Sequence, residues 1–310
     1  MNNYLGIDTS NYTTSIALYN GEKIIHQKRL LKVKDGFLGL RQNDAVFQHI
    51  NQLPDLFFSL FKNKIDKITA VGVSKSPRDE NGSYMPCFTV GLSVAKIISN
   101  ILQIPMFTFS HQVNHIISAL YSANKLDILN QKFLAFHVSG GTTEVLLVEP
   151  DDEKVINCKV VSKTLDLNAG QAVDRVGIML GLNFPAGAEL EKLALGYNKK
   201  LNTGPCIKGH DFCISGLENI CKKMYNDNES YSKIARYCID YIGDTIDIIC
   251  EKLINEYGNI PIVFSGGVMS NSIINKRFVD KYDAFFAKPE FSSDNAAGLA
   301  ILASIKEETI

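Results

Sequence analysis

The chain has 310 residues, 45% of them hydrophobic, and a mean hydropathy of +0.01. This is the composition of an ordinary globular protein with enough chain for two lobes that each have a full core. With 32 basic and 33 acidic residues the net charge is −1, which excludes a global positive field for holding a polyanion. A nucleic-acid partner must therefore bind a local patch or be presented by another subunit.

The seven cysteines are odd in number and scattered, and no C-x-x-C pair occurs. This pattern predicts neither a zinc knuckle nor a disulfide framework, and we interpret the cysteines as small buried side chains in a reducing compartment. The polar start Met1-Asn2-Asn3 runs directly into an apolar strand without the features of a signal peptide, and no apolar run is long enough to cross a membrane. We therefore expect a cytoplasmic protein without a membrane partner.

The first part of the chain is predicted to form a three-stranded hairpin sheet followed by an α/β unit. Apolar or alternating segments predict strands, Asn20-Gly21 predicts a hairpin turn, and Asp44 suits the start of a helix. In chain order the predicted elements are strands Tyr4–Asp8, Tyr12–Tyr19 and Lys23–Leu31, a loop at Lys34–Leu40, helix Ala45–Phe61 with an interruption or kink at Pro54, strand Ile68–Ser74, loop Ser76–Pro86, helix Thr89–Leu102, strand Met106–Phe109 and helix His111–Ser122.

The second part repeats this order of elements with helices inserted. The predicted elements are strands Phe133–Val138, Thr143–Glu149 and Lys154–Thr164, helices Gln171–Leu180, Ala188–Leu195, Gly216–Tyr225 and Ser230–Glu256, strand Pro261–Phe264, a helix opened by Gly266-Gly267 and Asn271, strand Ala284–Ala287 and helix Asn295–Ile305. A duplicated hairpin and α/β unit predicts the actin-like, Hsp70-like and sugar-kinase (ASKHA) fold, with two α/β lobes and a cleft between them. We place the lobes at 1–129 and 130–310, with a helical insertion around 166–235.

A pair of histidines in one predicted helix forms a candidate metal site. His111 and His115 are four residues apart, so they lie one above the other on one helix face and can chelate a single ion. The alternative is that His111 only begins the helix and His115 is a core histidine. Asp294 is a candidate third ligand, and two histidines with one carboxylate suit iron(II), zinc or manganese.

Loops rich in small residues are candidates for binding phosphate. They are Asp8-Thr9-Ser10-Asn11, Ser139-Gly140-Gly141-Thr142-Thr143 and Ser265-Gly266-Gly267-Val268-Met269-Ser270-Asn271. Backbone N–H groups and hydroxyls in such turns can approach phosphate oxygens, and glycines after a strand let a nucleotide lie close to the backbone. Each loop alone is usually only a turn, but their matching positions in a duplicated fold favour a nucleotide cleft.

Together these segments resemble the tRNA threonylcarbamoyladenosine synthase subunit family, formerly called the glycoprotease family. The resemblance spans essentially the whole chain and rests on Gly6-Ile7-Asp8-Thr9-Ser10, the H-x-x-x-H, Val138-Ser139-Gly140-Gly141, Gly170-(x)3-Asp174, Ile214-Ser215-Gly216-Leu217, Ser265-Gly266-Gly267-(x)3-Asn271 and Asp294-Asn295, in that order.

The resemblance implies a function, a cofactor and partners. It implies transfer of a threonylcarbamoyl group from threonylcarbamoyl-adenylate to the adenosine beside the tRNA anticodon. It implies one divalent ion, Fe²⁺ or Zn²⁺, on His111, His115 and Asp294. Its implied adenylate-binding residues are Ser139, Gly140, Gly141, Asp174, Gly187 and Asn271, to which we add Gly266 and Gly267 as candidates. Other pathway subunits are implied as partners, and one of them is an actin-like paralogue that would form a heterodimer.

The chain also departs from the family pattern. Val113 replaces a glutamate within the histidine motif, and Ser76–Pro86 replaces a glycine-proline-glycine loop. The first loop has Asp8-Thr9-Ser10-Asn11-Tyr12-Thr13 where the family usually has Glu-Thr-Ser-Cys-Asp-Glu. The chain also has Pro185-Ala186-Gly187 where the family has proline-glycine-glycine, and Thr142 where the family usually has a histidine. We interpret the chain as a divergent member or a paralogue and expect the Ser76–Pro86 loop to change the choice of acceptor or partner; the alternative is a harmless substitution.

The sequence leaves two other functions open and disfavours two more. A metal-dependent carbamoyltransferase acting on a small-molecule hydroxyl would share the same motifs, and a non-catalytic nucleotide-binding scaffold would need no metal. A zinc protease would need H-E-x-x-H, and a sugar kinase would leave the histidines without a role. No Ser-His-Asp or Cys-His arrangement is visible, so no covalent intermediate is expected, and no side chain is assigned as catalytic.

Overall fold

A computed structural model describes residues 2–33, 40–62, 67–282 and 284–309. The strands are β1 (Asn2–Thr9), β2 (Thr13–Tyr19), β3 (Ile24–Leu30), β4 (Lys67–Ser76), β5 (Met106–Ser110), β6 (Phe133–Val138), β7 (Thr143–Asp151), β8 (Val155–Lys163), β9 (Cys206–Lys208), β10 (Asp211–Cys213), β11 (Ile262–Ser265) and β12 (Phe285–Phe286). The helices are α1 (Gln42–Leu60), α2 (Phe88–Leu102), α3 (His111–Ser122), α4 (Ala169–Met179), α5 (Gly187–Leu195), α6 (Ser215–Asn226), α7 (Tyr231–Tyr257), α8 (Ser272–Tyr282), α9 (Pro289–Ser292) and α10 (Ala297–Glu308).

Two five-stranded sheets have the same topology. One has the order β3-β2-β1-β4-β5, and the other β12-β11-β6-β7-β8. In each, the first strand pairs antiparallel with the second and parallel with a later strand, which itself pairs parallel with the edge strand. The predicted duplication of a hairpin and an α/β unit is therefore confirmed.

The chain divides into two compact units that differ in part from the predicted lobes. Unit 1 comprises 1–126, 150–157 and 290–310, and unit 2 comprises 127–149 and 158–289. The C-terminal segment packs in unit 1 because glycines let α10 approach the sheet backbone. A Cβ atom on Gly6 would lie 2.2 Å from the Ala296 carbonyl oxygen, and one on Gly72 would lie 2.1 Å from that of Leu299. The division at 129/130 stays a prediction.

Several local expectations need correction. Helix α1 runs through Pro54 without interruption. The hairpin β9–β10 was not predicted, because each strand has only three residues, too few to show a period. The expected loop Lys34–Leu40 lies mostly outside the described residues. Among the described residues, no helix combines the length and apolar character needed to cross a bilayer.

Asp166 joins the segment before α4 to the start of α6. Its Oδ1 accepts hydrogen bonds from the backbone N–H groups of Leu167 at 2.6 Å and Ile214 at 2.8 Å, and its Oδ2 accepts one from the Ser215 hydroxyl at 2.5 Å. Partial burial opposes ionisation, but these hydrogen bonds outweigh it and lower the pKa of Asp166 to about 2.

We expect Asp166→Asn to destabilise unit 2 in a pH-dependent way. The pKa of an unfolded aspartate is about 3.9, so the depressed pKa of the folded state stabilises the protein above that pH, and this stabilisation is lost as the pH falls toward about 2. Urea unfolding across a pH series should show a difference between wild type and variant that is constant near neutrality and shrinks below about pH 4. Asp152→Asn, at an exposed turn, is the matched control. A difference independent of pH would contradict the assignment.

Candidate metal centre and nucleotide site

Helix α3 holds the two histidines side by side in unit 1. The Ser110 hydroxyl caps its first turn by accepting a hydrogen bond from the Val113 N–H at 3.3 Å. The Nε2 atoms of His111 and His115 are 3.0 Å apart, and the rings meet edge to face. The spacing of four residues thus brings both Nε2 atoms to one point, as predicted.

Asp294 is brought to that point by a hydrogen-bonded tether to the same helix. Asn114, between the two histidines in sequence, donates from Nδ2 to the Asn295 carbonyl at 2.5 Å, and its Oδ1 accepts from the Leu299 N–H at 3.1 Å. Asp294 Oδ1 lies 3.5 Å from His111 Nε2 and 3.2 Å from His115 Nε2. The predicted trio therefore converges within one unit.

The first hairpin turn supports this trio from behind. Asp8 Oδ1 contacts His111 Nδ1 at 3.0 Å, and the Ser10 hydroxyl donates to Asp294 Oδ2 at 3.1 Å. The first contact occupies Nδ1 of His111 and leaves its Nε2 facing His115 and Asp294. The second occupies Oδ2 of Asp294 and leaves its Oδ1 facing the two histidines. Outer contacts of this kind orient metal ligands. Sequence reasoning did not find this role for the turn.

The contacts also shift the pKa values of His111 and Asp294. Burial opposes a charge on His111, but the carboxylates of Asp8 and Asp294 outweigh it and raise the pKa of His111 to about 10. Burial likewise opposes ionisation of Asp294, but hydrogen bonds from His111 and His115 hold its pKa well below the usual range.

The donor set fits a divalent cation. One ligand atom from each of His111, His115 and Asp294 lies within 4.8 Å of the others. Asp8 is fully buried, and its Oδ2 has no hydrogen-bond partner among the described residues. A buried carboxylate is costly unless a positive charge lies nearby, and either a proton on His111 or a metal ion bound by His111 would supply that charge. Two imidazoles, one carboxylate and a second carboxylate behind them suit a transition metal.

The candidate phosphate loop Asp8, Thr9 and Ser10 uses its side chains within the protein. All three residues are buried. The Thr9 hydroxyl donates to the Cys87 carbonyl at 2.9 Å and accepts from the Gly91 N–H at 3.1 Å, at the start of α2. Phosphate binding by this turn stays a prediction. The Thr9 hydroxyl is already used in hydrogen bonds within the protein, so other groups of the turn would have to bind the phosphate.

Buried His49 extends the support of the turn. Its Nε2 contacts the Ser10 carbonyl at 3.0 Å, and its Nδ1 contacts the Thr14 hydroxyl at 2.8 Å. Burial lowers the pKa of His49 to about 4, so the ring is neutral near neutral pH. Its role is therefore to hold the turn.

In unit 2 the turn Ser139-Gly140-Gly141 packs against the start of α4. The Gly170 N–H donates to the Ser139 carbonyl at 3.1 Å, and a Cβ atom on Gly170 would lie 2.4 Å from the Gly140 nitrogen. Cβ atoms on Gly140 or Gly141 would instead have no atom within 4 Å. The turn is thus fixed on one side and open on the other.

The second glycine turn lies beside the first. Gly266 has φ of +94°, and a Cβ atom there would lie 2.2 Å from the Val138 carbonyl oxygen, so only glycine fits. A Cβ atom on Gly267 would have no atom within 4 Å. Asn271 accepts hydrogen bonds from the N–H groups of Ile273 and Ile274 and thereby caps α8.

Asp174 and Gly187 meet at the start of α5. Asp174 Oδ1 accepts from the Ala186 N–H at 2.8 Å, and its Oδ2 has no hydrogen-bond partner among the described residues. Helix α4 contacts the 3₁₀ turn that follows Gly266, and α5 contacts α8. The predicted adenylate residues therefore lie on neighbouring elements of one unit.

The Ser76–Pro86 loop is attached to the metal-candidate helix. The Pro77 carbonyl accepts a hydrogen bond from the Gln112 N–H at 3.0 Å, and Ser76 and Ser83 stabilise the loop through hydrogen bonds to the Arg78 backbone. This loop therefore helps to fix the first turn of α3. Its effect on acceptor choice stays a prediction.

Comparison with known structures defines the class of protein. Full-length HypF in the phosphate- and nucleotide-bound form matches 98% of this chain and 55% of its own length, with 14% identity and a TM-score of 0.62. The (R)-2-hydroxyglutaryl-CoA dehydratase component A of Acidaminococcus fermentans matches 99% of this chain and all of its own, with 14% identity and a TM-score of 0.55. A ROK family glucokinase from Streptomyces griseus matches with 10% identity and a TM-score of 0.52. The chain has the ASKHA fold, as predicted.

Sequence comparison then gives the family. Residues 21–301 match the profile of TsaD, described as tRNA N6-adenosine threonylcarbamoyltransferase. A curated relative of that name from Thermosipho africanus (strain TCF52B) is 30% identical over 96% of this chain and 92% of its own. The chain belongs to the TsaD family and is an enzyme of the tRNA threonylcarbamoyltransferase type, so the predicted resemblance is confirmed.

Proposed function

We propose that this enzyme transfers a threonylcarbamoyl group from threonylcarbamoyl-adenylate to N6 of the adenosine beside the tRNA anticodon, and that it needs a divalent metal ion to do so. The observation that carries the proposal is the convergence of His111, His115 and Asp294 in a chain of this family. The ion would be Fe²⁺ or Zn²⁺. When bound, it would supply a Lewis acid for the carbamoyl carbonyl or the adenylate phosphate.

The protein's own residues then have separate tasks. Asp8 and Ser10 orient the ligands, and the neutral His49 keeps the turn that carries them in place. In unit 2, Gly140 and Gly141 leave space and backbone N–H groups for phosphate oxygens, and the Oδ2 atom of Asp174 can accept a hydrogen bond from a ribose hydroxyl. The remaining candidates on these elements are Ser139, Gly187, Gly266, Gly267 and Asn271.

The direct test is modification of unmodified tRNA. The purified chain, loaded with Fe²⁺ or Zn²⁺, is incubated with threonylcarbamoyl-adenylate and tRNA, with and without the other pathway proteins from the same genome. Nucleoside mass spectrometry should detect threonylcarbamoyladenosine. A carbamoyltransferase for small hydroxyl compounds would instead modify such acceptors and leave tRNA unchanged, and a non-catalytic scaffold would modify neither.

We expect Gly141→Val to weaken binding of an adenine nucleotide strongly while leaving the fold intact. Because no atom lies within 4 Å of a Cβ at this position, the branched side chain meets open space in the free protein and obstructs only a ligand. Calorimetry should show at least about a tenfold loss of affinity, equivalent to about 1.4 kcal/mol. Gly204→Val, likewise without neighbours within 4 Å, is the control. Unchanged affinity in Gly141→Val would place the nucleotide elsewhere.

The proposal also assigns a surface to a partner subunit. In unit 1, side chains of α1 and α2, among them Phe58, Ile101 and Leu102, line an open apolar cleft of about 450 Å³. Phe58 is 78% exposed and Ile101 is 74% exposed. Contiguous exposed apolar surface of this kind marks protein interfaces. We assign it to the actin-like paralogue of the same pathway.

We expect Ile101→Glu to prevent formation of that heterodimer. A carboxylate placed in an apolar interface would lose its hydration without a partner. Light scattering of the co-expressed proteins should report monomers for this variant and a heterodimer for Ile25→Glu, a matched change at a residue on β3 that is 61% exposed. Heterodimer formation by Ile101→Glu would contradict the assignment.

A further inference from the structure

The β9–β10 hairpin of unit 2 places two cysteines face to face. Cys206 is the register partner of Cys213, and directly opposed residues of an antiparallel pair project from the same face. The Cys206 N–H donates to the Tyr241 hydroxyl at 3.3 Å, and that hydroxyl donates to the Cys213 carbonyl at 3.4 Å. The Tyr241 hydroxyl therefore contacts the backbone of both cysteines, and the Cα atoms of directly opposed residues in an antiparallel pair are about 4.5 to 5.5 Å apart.

This spacing suits a covalent bond between the two side chains. Disulfides span Cα separations of about 4.4 to 6.8 Å. The Cys206 thiol is also near enough to Cys213 to contribute to the raised pKa of the Cys213 thiol. Cys206 is exposed and Cys213 is half-buried, so a small reagent in solution can reach the pair. The expectation that the cysteines are buried structural side chains is wrong for this pair.

We propose that Cys206 and Cys213 form a reversible dithiol–disulfide site. The Cys206 thiolate attacks one sulfur of a low-molecular-weight disulfide and releases one thiol. The Cys213 thiolate then attacks Cys206 Sγ in the mixed disulfide and releases the second thiol. Two protein thiols lose two protons and two electrons to become one disulfide, and the reagent gains them as two free thiols.

The surroundings give the two cysteines different tasks. Cys206 is the more exposed and so makes the first attack. Burial and the Asp166 carboxylate raise the pKa of the Cys213 thiol, which suits the second, intramolecular step, where the high local concentration of the partner sulfur compensates for a smaller thiolate fraction. The hairpin continues directly into Ile214 and Ser215, which bind Asp166, so the disulfide would restrain the segment that precedes α4.

Unit 2 contains a matched internal control. The Cys221 and Cys238 thiols are also neighbours, since Cys221 raises the pKa of the Cys238 thiol, but both residues are fully buried. If proximity of two thiols were sufficient, both pairs would be oxidised. If the reagent must also reach the thiols from solution, Cys221 and Cys238 should stay reduced while the protein is folded.

The test uses the folded, purified full chain and glutathione disulfide as the probe. Free thiols are blocked with N-ethylmaleimide, and the chain is digested with trypsin without reduction. Lys208 lies between the two cysteines, so peptides 201–208 and 209–222 stay joined only through a disulfide. We expect the joined peptide in wild type and in Cys221→Ser, its release by dithiothreitol, and its absence in Cys206→Ser and Cys213→Ser.

Other outcomes would overturn the proposal. Glutathione that stays on Cys206 in wild type without a joined peptide would show that Cys213 does not complete the exchange. A joined peptide that forms only after denaturation would show that the folded hairpin holds the thiols apart. Neither result depends on metal, nucleotide or tRNA, so the thiol site and the proposed function are tested independently.

Discussion

Replacing Asp294 with alanine is expected to abolish stable metal binding and, with it, tRNA modification. The carboxylate is the one ligand of the trio that comes from outside α3, and without it two imidazoles remain. Loss of an outer-shell partner typically weakens metal affinity about 10- to 100-fold, and loss of a direct ligand should exceed that. Elemental analysis after dialysis should find metal in wild type and background levels in Asp294→Ala and His111→Ala.

Graded variants distinguish direct ligands from the residues that orient them. Asp8→Asn and Ser10→Ala should each weaken metal affinity within the outer-shell range of about 10- to 100-fold, while a metal ion still binds at high concentration. Asp55→Ala, an exposed aspartate of the same unit paired with Arg29, should bind metal like wild type. Full metal occupancy in both Asp294→Ala and His111→Ala would refute the proposed ligand set.

Gly298→Ala is expected to destabilise the protein strongly. A Cβ atom at this position would lie 2.2 Å from the Asn114 carbonyl oxygen and 2.8 Å from its Oδ1. Both atoms belong to the residue between the two histidines, so α3 and α10 must separate to accept the methyl group. Overpacking of this kind costs about 1–3 kcal/mol and occasionally more, and we expect about 3 kcal/mol here.

Urea unfolding of Gly298→Ala, followed by far-UV circular dichroism, measures this loss. The control is Gly204→Ala, whose Cβ would have no atom within 4 Å and whose unfolding free energy should stay within about 0.5 kcal/mol of wild type. Separation of the helices also moves Asp294 away from the histidines, so metal affinity should fall in Gly298→Ala. Wild-type stability together with wild-type metal affinity would show that the two helices are not held in this contact.

The structure also changes the interpretation of the first hairpin turn. Its small residues suggested a phosphate loop, since small residues usually indicate space for a ligand. In the folded chain Asp8 and Ser10 face the metal-candidate trio, and Thr9 binds the start of α2. The signal that could have indicated this role was an ionisable residue at the end of a buried strand, where solvation is lost and a charged partner is required.

The sequence by itself determined whatever depends on near neighbours in the chain. Helical spacing brought His111 and His115 together, strand and helix periods predicted the duplicated α/β order, and seven ordered motifs indicated the family. The helix and strand periods can be read from one sequence because they depend on local backbone geometry.

Only the tertiary structure decided which distant residues meet. Asp294 reaches the histidines because Asn114 and Asn295 hydrogen-bond across 181 positions and because Gly6, Gly72 and Gly298 let α10 lie against the sheet and α3. The pairing of Asp8 with His111 and of Cys206 with Cys213 likewise depends on strand register and helix packing. No period in a single sequence records such contacts, because they are set by which surfaces exclude water together once the chain has folded.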